Sequence, residues 1–277
     1  MKSIIKLLLL FLLLVIAAYL IVALLLGGFG RNTVSFRLAK GNDSLFLFAH
    51  RGLVTQFPEN SWEAIEAAKQ RQFKGLEVDI RKTSDNQFVL FHDEDGRRLL
   101  GKNKKIAAMT LAEVLSYRLQ KDGVPTQSGV LTLQELFTDY HDDFTIYLDM
   151  KLGDFGDIDQ LVHLIQTNHV SESVIVASVS FLAILYIEYK YPEIRTSMEG
   201  FNSGNEWVWY LIPRDLKPEL LSGFASKVDK KHMDWLKKKD LLNRRVVYGA
   251  DSTNFQTMID LGIRNMIIDS FDSLNSK

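Results

Sequence analysis

The stretch LFLFAHRGLVTQFPENSWEAIEAAKQRQFKGLEVDIRKT, residues 45–83, is a strand, a helix and a second strand in sequence. LFLFAH and GLEVDIRKT are strand candidates, because each contains apolar or β-branched residues over the length of a strand. Between them, SWEAIEAAKQR has apolar residues at helical spacing, and Asn60 or Ser61 can cap that helix. This order is the repeating unit of parallel α/β folds.

The same alternation continues along the rest of the chain. Further strand candidates are FTIYLDMK (144–151), SVIVASV (173–179), IRTSMEG (194–200), GFASKVDK (223–230), RVVYGAD (245–251) and RNMIIDS (264–270). Helical patterns separate them, with Thr132 expected to cap TLQELFTDYH and Ser252 or Thr253 to cap the last helix. Eight strands in a length near the roughly 250 residues typical of the fold predict an α/β (β/α)8 TIM barrel. A doubly wound open sheet is the alternative, but the first turn lacks the Gly-rich pattern of that fold.

An apolar run without charged residues, Leu7–Leu26, precedes the barrel. It is long enough to cross a bilayer core of about 30 Å and longer than the apolar part of a cleaved signal peptide. We therefore expect one transmembrane helix, with a cleaved segment as the alternative. The predicted domains are a membrane anchor at 1–30, a linker at 31–44 and the barrel at 45–277. Basic residues flank both ends of the run, but a short basic N-terminus favours a single-pass protein with an extracytoplasmic catalytic domain, periplasmic or outer.

Composition excludes several classes of function and site. The chain has 277 residues and a formal net charge of −1, with only short basic clusters, so nothing indicates nucleic-acid binding. It contains no cysteine, which excludes disulfides, lipidated cysteines and thiolate metal sites.

One segment departs from the alternation of strands and helices. After GLEVDIRKT the chain continues as SDNQFVLFHD, in which the turn cluster Ser84-Asp85-Asn86 precedes a second strand pattern. This predicts a hairpin folded at Asp85. Because its two arms have similar lengths, the hairpin brings His92 back beside Asp79.

Charged and imidazole side chains are concentrated at the carboxyl ends of the first three barrel strands, where a TIM barrel carries its active site. The set is His50 and Arg51 after the first strand, Glu77 and Asp79 on the second, His92 and Asp93 after the hairpin, and Asp149 and Lys151 on the third. Residues two apart on a strand point to the same face, so each pair on a strand enters one cavity. Any one of these motifs alone is commonly a turn or a surface ion pair. Their coincidence at one rim predicts a functional site.

The residue types at this rim indicate a particular chemistry. Three carboxylates repel one another unless a cation holds them, and oxygen ligands favour a hard divalent ion, Ca²⁺ or Mg²⁺. Arg51 and Lys151 suit an anionic oxygen such as that of phosphate. His50 and His92 can transfer protons near neutral pH. Together these groups predict cleavage of a phosphoryl ester.

The motifs AHRG, PENS, GLEVDI, T-x-D, VLFHD, TLQEL and LDMK resemble, in order and spacing, those of the glycerophosphodiester phosphodiesterase family over about residues 45–151. The resemblance implies a TIM barrel and a metal-dependent phosphodiesterase that releases glycerol phosphate and an alcohol from glycerophosphodiesters. It implies His50 and His92 as the acid–base pair, Glu77, Asp79 and Asp149 as metal ligands, and Arg51 and Lys151 as phosphate-binding groups.

Several positions depart from the family pattern or have a structural role. Asp149 stands where the family usually has Glu, one methylene longer, and Tyr248-Gly249-Ala250-Asp251 replaces W-T-x-N on the seventh strand. Asn86 replaces a turn Gly and can adopt the left-handed conformation. We expect Glu59 to shape the first turn rather than bind the metal. We expect Gly52 to let the chain turn close to the ligand.

Two other functions stay open. The anchor would hold the pocket near a bilayer, and NEWVWYLIP carries Trp207, Trp209, Tyr210 and Leu211, which suit a membrane interface. This favours lysophospholipids as substrates, although the same aromatic residues can pack on the barrel as an ordinary short helix. The alternative from a different class is a non-catalytic binding protein that keeps the barrel, and Asp149 and the altered seventh strand motivate it.

Overall fold

A computed structural model describes residues 2–29, 36, 38 and 44–269 of the chain. The helices are α1 Lys2–Leu25, α2 Trp62–Gln70, α3 Arg97–Leu100, α4 Leu111–Leu115, α5 Leu133–Tyr140, α6 Phe155–Thr167, α7 Phe181–Lys190, α8 Glu206–Leu211, α9 Lys230–Lys238 and α10 Phe255–Asp260. The strands are β1 Phe46–His50, β2 Gly75–Lys82, β3 Phe88–Leu90, β4 Gln120–Lys121, β5 Val124–Pro125, β6 Thr145–Met150, β7 Val174–Ser178, β8 Arg195–Met198, β9 Leu220–Phe224, β10 Arg245–Tyr248 and β11 Asn265–Ile268.

Eight parallel strands close into a barrel in the order β1-β2-β6-β7-β8-β9-β10-β11, and β11 pairs with β1. The predicted TIM barrel is therefore confirmed. Strand alternation explains which side chains reach the interior. On β2, Leu76, Val78 and Ile80 belong to the core between strands and helices, whereas Glu77 and Asp79 point into the barrel.

The predicted position of the sixth barrel strand was wrong. It was expected at 223–230, but β9 ends at Phe224 and a 3₁₀ turn occupies Ala225–Lys227. The prediction followed the alternating pattern and passed over Leu220 and Leu221, which are fully buried and pair with β8. Burial of this leucine pair therefore determines the position of β9 in the sequence.

The helix caps agree with the sequence in two cases and differ in one. Ser61 caps α2 by accepting from the Ala64 amide, and Thr132 caps α5. The residue before α10 is Asn254, which makes no side-chain cap, so the expectation of a cap at Ser252 or Thr253 was wrong. The reason is that the Thr253 amide and hydroxyl both donate to Asp251, which holds this segment as a turn.

The N-terminal helix α1 is long and apolar enough to cross a membrane over Ile4–Leu25, with a mean hydropathy of 3.2. Its C-terminal end docks on the barrel, where Ala23 is fully buried. The amides of Arg214 and Asp215 then donate to the carbonyls of Gly28 and Leu26, at 2.7 Å and 3.2 Å. Of the predicted linker at 31–44, all but residues 36, 38 and 44 lies outside the described residues.

A small unit that the sequence analysis did not assign follows the β3 strand. Residues 91–131 contain α3, α4 and the β4–β5 ribbon. They enclose a separate apolar core that includes Phe91, Leu99 and Ile106. This unit brings α3, and with it Arg98, to the rim of the barrel.

The expected short helix at NEWVWYLIP is present as α8. Trp209 packs into the core, with the Lys217 ammonium 4.9 Å from its ring centre. Trp207, Tyr210 and Leu211 are exposed. The residues of α8 therefore have two roles. Trp209 packs the helix onto the barrel, and its exposed neighbours face outward.

Candidate active site

A cavity of about 520 Å³ lies at the carboxyl ends of the barrel strands. Six of the seven side chains predicted for the site line it, and they are His50, Arg51, Glu77, His92, Asp149 and Lys151. The seventh, Asp79, is fully buried directly beneath them. The structure thus brings the whole predicted set together.

Glu77, Asp79 and Asp149 form one cluster, in which carboxylate oxygens from all three lie within 4.8 Å of one another. The register explains the convergence, because Asp79 on β2 is directly paired with Asp149 on β6. Burial, followed by the charges of the neighbouring acids, raises the pKa of Glu77 well above its ordinary value. Burial also raises the pKa of Asp149. Such a cluster is costly unless cations compensate it.

The two carboxylate oxygens of Asp79 have different surroundings. Its Oδ2 accepts a hydrogen bond from Asn60 Nδ2 at 3.1 Å and lies 2.9 Å from Arg51 Nε. Within the described residues its buried Oδ1 has no hydrogen-bond partner. An orphaned buried carboxylate oxygen beside two further acids fits a hard divalent cation.

The two histidines present the same nitrogen atom to this cluster. His50 Nδ1 lies 2.7 Å from Asp269 Oδ1, and His92 Nδ1 lies 2.8 Å from Asp93 Oδ1. The Nε2 atoms face inward, 3.8 Å from Glu77 Oε2 for His50 and 4.0 Å from Asp79 Oδ1 for His92. A carboxylate on Nδ1 fixes the ring orientation and leaves Nε2 for proton transfer.

The predicted hairpin returns His92 to this position. β3 pairs antiparallel with β2, Ile80 opposite Leu90, and the Phe91 amide donates to the Asp79 carbonyl at 2.9 Å. Asn86 occupies the turn with φ 60°, as expected for a residue that replaces Gly. The geometry of the hairpin therefore determines the position of His92 in the site.

Arg51 and Lys151 are both paired with acids of the site. Arg51 has φ 53°, and its Nη1 donates to Glu59 Oε1 at 3.0 Å. The Lys151 ammonium contacts Asp149 and lies 3.4 Å from Asp79 Oδ1. Burial lowers the pKa of Lys151, but the charges of Asp149 and Asp79 raise it more, so the side chain stays cationic. Glu59 contacts arginines rather than the acid cluster.

Two expectations about the first turn are refined by the structure. Gly52 adopts a left-handed φ of 83°, as the expected turn requires, and its approach to a ligand stays a prediction. An added Cβ would lie 2.6 Å from the Ala64 carbonyl carbon, so Gly52 is needed for packing against α2. Asn60 does not cap that helix, since its side chain binds Asp79.

Three further charged residues were missed by the sequence analysis. Asp269 holds His50, and Glu199 lines the cavity after β8. Arg98 Nε donates to Asp93 Oδ2 at 2.8 Å, and this bond lowers the pKa of Asp93 to about 2. Asp269 and Glu199 lie at the carboxyl ends of the last and the fifth predicted strands, so the strand-end rule that selected the other acids applies to them too. Arg98 comes from the unassigned unit after β3.

Glu199 adds a fourth carboxyl group to the cavity. It accepts a hydrogen bond from the Tyr147 hydroxyl at 3.2 Å. Burial, reinforced by the charge of Asp149, raises the pKa of Glu199 to about 8. A carboxyl group that is largely protonated at neutral pH can donate a hydrogen bond as well as accept one.

The seventh-strand departure from the family pattern faces the same cavity. Tyr248, Gly249, Ala250 and Asp251 line the side opposite the acid cluster. The Tyr248 ring packs edge-on against Phe224, with ring centres 4.4 Å apart. This wall is therefore more apolar than the acid side.

Comparison with known proteins places this site in a family. A sequence model described as the glycerophosphoryl diester phosphodiesterase family matches residues 50–272. The chain belongs to this family. That match covers the barrel from the end of β1 onward and every residue of the candidate site, and it makes the chain a phosphoric diester hydrolase by family.

Relatives and solved structures agree with the family assignment. A glycerophosphodiester phosphodiesterase of Caldanaerobacter subterraneus subsp. tengcongensis is 24% identical over 236 residues, covering 78% of this chain and 96% of the relative. The fold resembles a glycerophosphodiester phosphodiesterase from Parabacteroides distasonis, with a TM-score of 0.68, 19% identity and coverage of 85% and 97% of the two chains. It also resembles an Oleispira antarctica phosphodiesterase in complex with the product sn-glycerol-3-phosphate, with a TM-score of 0.69, 19% identity and coverage of 83% and 94%.

Proposed function

We propose that the chain is a metal-dependent glycerophosphodiester phosphodiesterase that uses His50 and His92 as its acid–base pair. One observation carries the proposal: the Nε2 atoms of both histidines face a buried cluster of three carboxylates. A non-catalytic barrel would have no need for two imidazoles oriented on the same cluster. The intact set therefore favours an enzyme.

Glu77, Asp79 and Asp149 are the residues that would hold the metal ion, either Ca²⁺ or Mg²⁺. When bound, the ion supplies positive charge that stabilises the phosphoryl oxygens during ester cleavage. The buried Asp79 Oδ1 and the raised pKa values of its neighbours support this assignment.

Arg51 and Lys151 are proposed to bind the substrate phosphate. Both line the cavity beside the acid cluster, and Arg51 carries a fixed charge because Asp79 and Glu59 hold its guanidinium. A planar guanidinium and a mobile ammonium together orient and neutralise a phosphodiester.

Proton transfer is assigned to the histidines as a pair. One Nε2 removes a proton from the nucleophile, which is water or a neighbouring hydroxyl of the substrate. The other Nε2 donates a proton to the departing alcohol oxygen. Asp269 and Asp93 keep the two rings in the required tautomer. The products are glycerol phosphate and an alcohol, as the product-bound Oleispira relative supports.

The N-terminal segment is proposed to anchor the enzyme in a membrane, with 1–30 as anchor, 31–44 as linker and the barrel outside the cytoplasm. The apolar helix over Ile4–Leu25 supports the anchor. Lysophospholipids are the second candidate substrates, because apolar residues extend from the catalytic cavity towards this helix.

A substrate panel with metal control tests the proposed activity. The full chain is assayed on glycerophosphodiesters with different alcohols in EDTA, then with Ca²⁺ or Mg²⁺ added back. We expect no turnover in EDTA and recovery with one of the ions. His50→Ala and His92→Ala should each lower turnover by about 10²-fold or more while the protein remains folded. Full activity in either variant would contradict the assignment.

A further inference from the structure

A second recess of about 560 Å³ opens beside the catalytic cavity. Its walls are largely apolar and come from the loop after β7, from α7, from α8 and from the N-terminal helix. The residues that matter here are Val179, Phe181, Leu185, Val208, Leu211 and Tyr19. Its volume lies within the range of about 300–1,000 Å³ that is typical of small-molecule sites.

The recess is continuous with the catalytic cavity. Val179 and Glu199 line both spaces, and they follow neighbouring strands at the barrel mouth. Glu199 is also held by Tyr147 inside the barrel. A ligand whose phosphodiester lies at the acid cluster can therefore pass Glu199 and extend into the recess without leaving the protein surface.

The helix α1 forms one wall of the recess. The Tyr19 hydroxyl donates to the Leu211 carbonyl at the end of α8. Towards its C-terminus the helix is fastened to the barrel through Gly28 and Leu26. Residues 4–18 are exposed, and at 1.5 Å per residue Ile4 lies about 20 Å farther along the helix than Tyr19. The lipid-compatible part of α1 thus begins at the recess.

Exposed apolar side chains continue around the mouth. Val179, Leu182 and Trp207 are 74%, 66% and 61% exposed. Isolated apolar residues are common on protein surfaces, but Val179 and Trp207 line this recess, and Leu182 is the chain neighbour of Phe181, which also lines it. The same recess adjoins a bilayer-length helix. Trp at such an edge is typical of a membrane–water interface.

We propose that the recess binds the acyl chain of a lysophospholipid whose phosphodiester occupies the acid cluster. This assignment rests on the proposed function, and it names the substrate class of the same site. Continuity with the catalytic cavity and the adjoining apolar helix favour a lipid chain over a peptide or a second copy of the chain. The recess of about 560 Å³ is assigned to one acyl chain, so the proposed substrate is a single-chain lipid.

The reaction on this substrate is the same hydrolysis. Water adds across the bond between phosphorus and the headgroup oxygen, its hydroxyl going to phosphorus and a proton to the departing alcohol. The acylated glycerol phosphate remains as the second product. Because the headgroup alcohol is released from both substrate classes, one readout compares them.

The test uses the full chain in lipid nanodiscs and matched substrate pairs with the same headgroup, one with and one without an acyl chain. Headgroups cover choline, ethanolamine, inositol and glycerol. For the preferred headgroup, kcat/KM should rise with acyl-chain length, by at most about fourfold for each buried methylene. The rise should stop once the recess is filled. Faster cleavage of the matching diacyl phospholipid would overturn the single-chain assignment.

Leu211→Asp places a charge in the recess and should reduce the ratio of lysophospholipid to glycerophosphodiester kcat/KM by about tenfold or more. Leu182→Asp is the matched control, because Leu182 is exposed near the same mouth but does not line the recess. Its ratio should match that of the unmodified chain. Hydrolysis of glycerophosphodiesters reports that each variant is folded.

The outcomes separate this inference from the proposed function. Turnover of glycerophosphodiesters without any dependence on acyl-chain length would refute the acyl-chain site and leave the phosphodiesterase assignment intact. An unchanged substrate ratio in Leu211→Asp would also refute the site. Absence of turnover on every pair, in the presence of both metals, would refute the proposed function itself.

Discussion

Asp269 holds His50 through a 2.7 Å contact between its Oδ1 and the Nδ1 of the ring. The two residues are 219 positions apart in sequence, and the pairing of β1 with β11 brings them together. The hydrogen bond with His50 lowers the pKa of Asp269, so the carboxylate is ionised across the neutral range. Because it fixes the ring and its tautomer, Asp269→Asn should lower kcat by about tenfold or more, with a smaller effect on KM.

The control for Asp269 is Asp251→Asn, which removes a charge from the same cavity without contacting His50. Its kcat should change by less than about threefold, in keeping with the modest effect of an exposed charge. The pH–rate profile is the second readout, since an altered imidazole environment moves the acid or base limb. An unchanged profile and unchanged kcat in Asp269→Asn would show that the contact does not position His50.

Asp149 tests the metal assignment because the family usually has Glu at this position. Asp149→Asn removes a charged ligand and should raise the Ca²⁺ or Mg²⁺ concentration for half-maximal activity by more than about tenfold. Asp149→Glu keeps the carboxylate and should retain metal-dependent activity. Metal titrations of activity, together with the rise in unfolding temperature on adding metal, measure both effects. Equal metal dependence in Asp149→Asn and the unmodified chain would exclude Asp149 as a ligand.

Gly52 is predicted to matter for folding rather than for catalysis. Gly52→Ala places a Cβ against the Ala64 backbone at a left-handed φ, which should destabilise the protein by about 2 kcal/mol or more. Gly123 has a similar φ of 78°, but a Cβ there would meet nothing within 4 Å. Gly123→Ala should therefore cost only about 1 kcal/mol, the price of the backbone conformation. Urea titrations of both variants measure the difference, and equal losses would contradict the packing argument.

The side of the membrane that carries the barrel can be tested directly because the chain has no native cysteine. Asp142→Cys places a single thiol at a side chain that is 92% exposed on the barrel. If the barrel is extracytoplasmic, a membrane-impermeant maleimide should label this variant in intact spheroplasts. Labelling that requires lysis would place the barrel in the cytoplasm. The unmodified chain is the background control.

The sequence was sufficient for the parts of the site that depend on local pattern. Strand alternation places Glu77 and Asp79 on one face, and the length of the hairpin places His92 beside Asp79. The location of TIM-barrel active sites at the carboxyl ends of the strands then groups these residues into one site. Each inference needs only the period of a strand or the size of a turn, and the structure has both as expected.

Other contacts depend on tertiary placement that no local pattern carries. Arg98 reaches Glu59 and Asp93 because the unit after β3 folds on its own apolar core. Asn60 has the sequence context of a cap, yet its side-chain amide donates to Asp79 on the neighbouring strand β2. Tyr19 meets Leu211 only because α1 docks on α8. In each case a side chain with a common local role has a partner from a distant element.

A buried acid pair away from the catalytic cavity predicts how stability depends on pH. Glu188 on α7 accepts a hydrogen bond from the Thr196 hydroxyl, and Glu219 Oε2 accepts from the Thr196 amide at 2.9 Å. Burial raises the pKa of Glu188 well above its ordinary value, and the neighbouring charge of Glu219 adds to this effect. The folded chain therefore retains a proton that the unfolded chain releases once the pH exceeds about 4.5.

This difference in bound protons determines whether stability rises or falls with pH. The free energy of unfolding falls as pH rises above the ordinary glutamate pKa, because the unfolded state binds fewer protons there. Glu188→Gln removes the titrating group, so its unfolding temperature should decline less between pH 5 and pH 8 than that of the unmodified chain. Comparing the two curves cancels the contribution of the catalytic acids, which is common to both. Glu94→Gln, at an exposed glutamate paired with Lys105, should leave the curve nearly unchanged. Parallel curves for Glu188→Gln and the unmodified chain would show that Glu188 is ionised in the folded protein.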